Sequence, residues 1–137
     1  MSCRLEHANL TVRDLNATVR FLTTAFPEFR VRGGSTEGDS NPWLHVGTES
    51  TYLAISQGHG TEGVIGPDSA GFNHLGYVVA DADGLRTRML AAGYREGYLA
   101  EPHPYRKRVY ILDEDGVEWE FVQYLTDDPA LQNEYSA

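Results

Sequence analysis

Two histidines and one glutamate are the residues of this sequence best suited to chemistry. His7 in RLEHANLTV and His74 in GFNHLGYVV occupy the same place in two similar segments, and Glu120 lies in the late segment VEWEFVQ. Neutral imidazoles with a carboxylate form the ligand set of many catalytic zinc sites and of the two-histidine, one-carboxylate iron sites, both of which leave positions open for substrate or water. Either histidine alone reads as a hydrogen-bonded strand residue. Their equivalence in two repeats, with Glu120 on a matching face, favours a metal site.

The equivalence comes from an internal repeat. Setting residues 4–57 against 71–124 at an offset of 67 places His7 over His74, Asp14 over Asp81 and Leu22 over Met89. After one gap the offset is 66, and Gly47 falls on Asp113, Leu53 on Trp119 and Ile55 on Phe121. Each half opens with period-two alternation, the mark of a half-buried strand. Asp14 and Asp81 then stand where helix N-caps belong. A helix over 15–26 follows from Leu15, Val19, Leu22 and Phe26, with Pro27 to stop it. Its partner, 82–92, presents Leu85, Met89 and Leu90 and ends at Gly93. Three short strands follow each helix, at 28–33, 42–47 and 50–56, then at 95–100, 106–112 and 117–124. The tail TDDPALQNEY reads as a short helix with Thr126 as its cap and Pro129 in its first turn.

The expected fold is α+β: two repeated β-α-β-β-β modules forming a curved mixed sheet around a concave cup. One domain, 1–137, holds the modules at about 4–57 and 71–125, a linker at about 58–70 and a tail at 126–137. Alternation assigns the faces. Ala8, Leu10 and Val12, with Leu75, Tyr77 and Val79 and with Val117, Trp119 and Phe121, turn toward the helices. His7, Asn9, His74, Glu118 and Glu120 then turn into the cup. His45 alternates with Leu44 and Val46, and its match to Ile111 puts it on the helix side as a structural residue. His59 falls in the linker. His103, between Pro102 and Pro104, sits either in a solvated loop or at the cup rim with Tyr105 and Arg106. Arg106, Lys107 and Arg108 either steer an anionic substrate or are plain exposed charges.

Composition limits the partners. The chain has 137 residues, 20 acidic and 11 basic, for a formal charge of −9 that repels phosphate backbones and anionic lipid. No nucleic acid and no membrane partner is expected. The acid is concentrated: residues 113–137 carry 8 acidic side chains and no Lys or Arg. The single cysteine, Cys3, cannot close an intramolecular disulfide, and no signal-peptide pattern opens the chain, so a cytoplasmic protein is expected.

Through LEHANLTVRDL, FNHLGYVVAD and YILDEDGVEWEFVQ, residues 4–125 resemble the vicinal oxygen chelate superfamily of glyoxalase I, bleomycin resistance proteins, fosfomycin-resistance thiol transferases and extradiol dioxygenases. The resemblance implies metal ligands at His7, His74 and Glu120, with Glu120 also the catalytic group. It implies a divalent cation, Zn, Ni, Mn or Fe, a small-molecule substrate, and a homodimer whose cup can draw on both subunits. Glyoxalase I proteins usually supply a fourth ligand, a glutamate, where this chain has Ala54. Three ligands leave room for bidentate chelation of adjacent substrate oxygens. Proton transfer beside a carbonyl is then left to Glu120, or to Glu118. Tyr110 matches a substrate-contacting tyrosine of the fosfomycin enzymes, and Asn9, Tyr52, Glu118 and His103 complete the expected substrate contacts. The expected activity is a metal-dependent, glyoxalase-like lyase or isomerase acting on a small carbonyl compound. Rival readings are Fe(II) ring-opening dioxygenation, fosfomycin-type thiol transfer and metal-free sequestration of a drug or metabolite. Retention of all three ligands argues against the last.

Overall fold

The computed structural model describes residues 5–58, 74–132, 134 and 135. The linker, with His59, and Cys3 lie outside the described residues. The chain forms two compact units, Met1–Glu62 and Gly63–Ala137. Each contains one module with its own four-stranded mixed sheet.

In the first unit β1 (His7–Val12) leads into α1 (Leu15–Ala25), then β2 (Arg30–Ser35), β3 (Trp43–Gly47) and β4 (Tyr52–Gln57). Asp14 caps α1 by accepting hydrogen bonds from Asn16 N and Ala17 N, which satisfies donors that the helix leaves open. The helix ends at Phe26, held extended at φ −123° and ψ 90°, as a residue before proline must be. Leu15, Thr18, Phe21, Leu22 and Ala25 form its buried stripe. They meet Val46, Leu53 and Ile55, each 1% exposed or less, from the sheet.

The second unit repeats the plan with β5 (Leu75–Val78), α2 (Ala82–Ala91), β6 (Arg95–Glu96), β7 (Arg106–Leu112), β8 (Glu118–Tyr124) and α3 (Pro129–Gln132). Asp81 caps α2 through Gly84 N. The far end closes as a Schellman motif, Tyr94 N bonding Met89 O and Gly93 N bonding Leu90 O, with Gly93 at φ +95°. Leu85, Met89, Ile111, Trp119 and Phe121 make this core.

The sheet orders are β1-β4-β3-β2 and β5-β8-β7-β6, with the first and last strands of each module parallel neighbours. That pairing positions the site, because it sets residues of β5 beside those of β8. The helix-facing and open-facing sets follow the alternation for β1, β5 and β8.

Three expectations need correction. The strand expected over 95–100 stops at Glu96, since Tyr98 N donates to the Glu118 carboxylate instead of a ladder carbonyl. The tail helix is capped by Asp128, whose Oδ1 accepts from Ala130 N, while Thr126 bonds Asp128 N one step earlier. His45 does not face α1. It lies opposite Ala54, on the side away from Val46 and Ile55. The turn at 48–51 is one residue shorter than the turn at 113–117, so the offset across β3 is 65 and becomes 66 only after that turn. The counterpart of Ile111 is therefore Val46, and His45 corresponds to Tyr110.

Candidate metal and proton-transfer site

In the second unit the register sets Gly76 opposite Glu120, with His74 just ahead of β5. His74 Nε2 lies 2.9 Å from Glu120 Oε2, although 46 residues separate them. Two donors each about 2.1 Å from one cation, at right angles, would stand about 3 Å apart. The observed spacing therefore suits two neighbouring ligands of one ion. Both side chains are accessible, at 34% and 18% exposure.

Tyr110 faces Glu120 across β7 and β8 and is 6% exposed. Its ring presents an edge to His74 with centroids 6.0 Å apart. Burial first, then the charge and hydrogen bond of Glu120, push its hydroxyl up to about 12, with Arg108 opposing in part. Tyr110 thus stays a phenol at neutral pH beside the Glu120 carboxylate, with Arg108 acting in the opposite direction.

In the first unit His7 Nδ1 lies 2.9 Å from Glu6 Oε1, which also accepts from Tyr52 OH at 3.3 Å. Holding Nδ1–H on a carboxylate leaves Nε2 as the lone-pair nitrogen, the arrangement that orients a metal-binding imidazole. The ring stacks on Tyr52 at 5.0 Å and 16°. Asn9 stands beside Ala54, which is 6% exposed. His45 stacks on the same Tyr52 at 4.7 Å and contacts Trp43 at 4.9 Å, and the Arg32 guanidinium sits 4.1 Å from the Tyr52 centroid.

The remaining expected residues divide differently. Glu118 spends its carboxylate on Tyr98 N and closes tightly on Gly97, so it shapes the loop after β6. His103 accepts at Nδ1 from Tyr105 N, and its Nε2 is buried without a partner among the described residues. With Tyr98, Leu99, Arg108, Tyr110 and Leu125 it lines a cavity of about 410 Å³. The basic run is largely engaged: Arg106 donates to the carbonyls of Gln132 and Glu134, and Lys107 pairs with Asp83 at 2.5 Å. Among the described residues no group of three or more His, Cys, Asp or Glu gathers within one site. His74 and Glu120 belong to one unit and His7 to the other.

Alternation misses two residues. Glu6 precedes β1, so the strand's in-and-out rule does not govern it. His45 is hidden because the alignment takes an offset of 66 across β3, where the strand register gives 65.

The arrangement has close fold relatives. A glyoxylase/bleomycin resistance protein/dioxygenase domain from Frankia sp. EAN1pec superposes with a TM-score of 0.73 at 22% identity, covering 90% of this chain and 99% of that one. Fosfomycin resistance protein FosX from Mesorhizobium loti gives 0.66 at 23% identity, covering 88% and 91%. The trypanothione-dependent glyoxalase I of Leishmania major gives 0.70 at 20%, covering 89% and 87%. No curated protein matches the chain significantly. The model of the Glyoxalase/Bleomycin resistance protein/Dioxygenase superfamily matches residues 4–121, nearly the whole of both modules, and the chain belongs to that superfamily.

Proposed function

We propose that this chain is a metal-dependent enzyme of the lyase or isomerase type, acting on a small carbonyl compound with adjacent oxygens, and that His7, His74 and Glu120 hold its cation. The observation that carries the reading is the His74 and Glu120 pair, 2.9 Å apart on an accessible face. A repeat-equivalent histidine in the other module, His7, already bears its orienting carboxylate. A related FosX from Listeria monocytogenes was crystallised with Mn(II), which suits the same class of donors.

A divalent cation in such a site supplies Lewis-acid polarisation of substrate oxygens. The chain's own residues supply the rest. Tyr110, kept as a phenol by burial, stands across the strand pair from the Glu120 carboxylate. Glu120 has two oxygens, so one can serve beside His74 while the other takes a proton from carbon next to the substrate carbonyl. Glu6 fixes the His7 tautomer and ring plane. The site is proposed to lie in a homodimer and the protein to work in the cytoplasm. No helix among the described residues is long and apolar enough to cross a membrane.

The test is metal analysis of protein purified without chelators, with oxygen uptake followed in parallel. The proposal expects near-stoichiometric Zn, Ni or Mn, lost on His74→Ala, and no oxygen consumption. Stoichiometric iron with oxygen uptake would replace this reading with ring-opening dioxygenation. Metal-free protein unaffected by His74→Ala would replace it with a binding function.

A further inference from the structure

Position 54 poses a chemical question that the neighbouring strand answers. In the second module the paired positions on β7 and β8 hold Tyr110 and Glu120, a donor and a carboxylate. The equivalent pair in the first module is His45 and Ala54. The methyl group of Ala54 can neither bind a cation nor carry a proton. The ionisable group of this pair therefore stands one strand over, on β3.

We propose that His45 is the first module's proton-transfer group, taking the role that an acidic side chain at position 54 would have filled. The inference rests on the site reading above and adds to it a second group besides Glu120. Three observations support it. His45 lies directly across from Ala54, on the same sheet face as His7 and Asn9, so a substrate held near His7 over the small Ala54 side chain would meet the His45 ring. The ring is held by contacts, stacked on Tyr52 at 4.7 Å with Trp43 at 4.9 Å, which fixes its direction without occupying its nitrogens. The other three described histidines spend a ring nitrogen on a hydrogen bond: His7 on Glu6, His74 on Glu120 and His103 on Tyr105. His45 has no hydrogen-bond partner among the described residues. A part-buried imidazole with uncommitted nitrogens can both take up and return a proton.

The step balances within the substrate and the ring. The C–H bond of the hydroxyl-bearing carbon beside the carbonyl breaks, and the proton forms an N–H bond on neutral His45. The electron pair of that bond forms the C=C bond while the carbonyl π pair moves onto oxygen to give an enediolate. Return of that proton to the former carbonyl carbon, with the remaining hydroxyl proton passing to the neighbouring oxygen, gives the isomer and regenerates the neutral imidazole.

Hydroxyacetone serves as the probe because both its carbons beside the carbonyl carry exchangeable hydrogen. Zinc-loaded protein in D₂O is followed by NMR, with zinc stoichiometry measured on the same samples. His45→Gln is expected to slow exchange at one or both carbons by about 100-fold with zinc still bound, and Ala54→Glu added to His45→Gln is expected to restore it. Acetohydroxamate, an enediolate-like chelator, is expected to shift the His45 ring resonances of the zinc-loaded protein. Normal exchange in His45→Gln, or slowed exchange that Ala54→Glu does not restore, overturns the assignment while leaving the metal site standing. Zinc binding without any exchange by the unmodified protein instead overturns the proton-transfer chemistry itself, and this assignment with it.

Discussion

Glu6 illustrates how much of a site rests on a side chain that never touches the reacting atoms. Its carboxylate receives both the His7 imidazole and the Tyr52 hydroxyl, and loss of such an orienting partner typically weakens metal binding by about 10–100-fold. Glu6→Gln is therefore expected to lower affinity for Mn²⁺ within that range, measured by calorimetry, while circular dichroism stays unchanged. Tyr110→Phe is expected to keep the metal and to remove from the alkaline absorbance titration one tyrosine that ionises at about 12. Repetition and alternation both point to His7 and His74 as candidates, and alternation alone points to Glu120, whose repeat counterpart is Ala54. Glu6 is not legible in the sequence, because it precedes the strand, and His45 is not, because one residue of turn length reverses a face assignment.

Turns and caps decide the elements, and most of them are written in short motifs. Asp113 accepts from Asp115 N, Val117 N and the Trp119 indole N–H, closing the turn that aligns β8 and hence Glu120. At about 1 kcal/mol for each net hydrogen bond, Asp113→Ala is expected to cost roughly 2–3 kcal/mol in urea denaturation. Asp14→Ala and Asp81→Ala are each expected to cost about 1 kcal/mol as lost N-caps. Helices α1 and α2 are readable because apolar spacing, capping aspartates, Pro27 and Gly93 agree. The strand after α2 is overextended in the sequence reading because a side chain from β8, far along the chain, captures Tyr98 N. Sequence pattern records local preference and carries no trace of that distant competitor.

The whole molecule is two similar modules, each with an apolar face under one helix and a more polar face left for chemistry. Phe121, fully buried, is expected to cost about 3–5 kcal/mol on replacement by alanine. Burial raises Tyr77 and Tyr110 to about 12, above the ordinary tyrosine value near 10. The folded chain therefore binds these protons more tightly than the unfolded one. The stability this contributes is fully present below about pH 10 and is lost as pH rises toward about 12, which alkaline unfolding curves will register. The central proposal is that His7, His74 and Glu120 are ligands to a divalent cation. Its most direct measurement is Mn²⁺ titration of the unmodified protein beside His7→Ala, His74→Ala and Glu120→Gln. The prediction is one ion per chain, bound far more weakly after any of the three changes. Unaltered affinity after any one of the three changes would contradict that residue's place among the ligands.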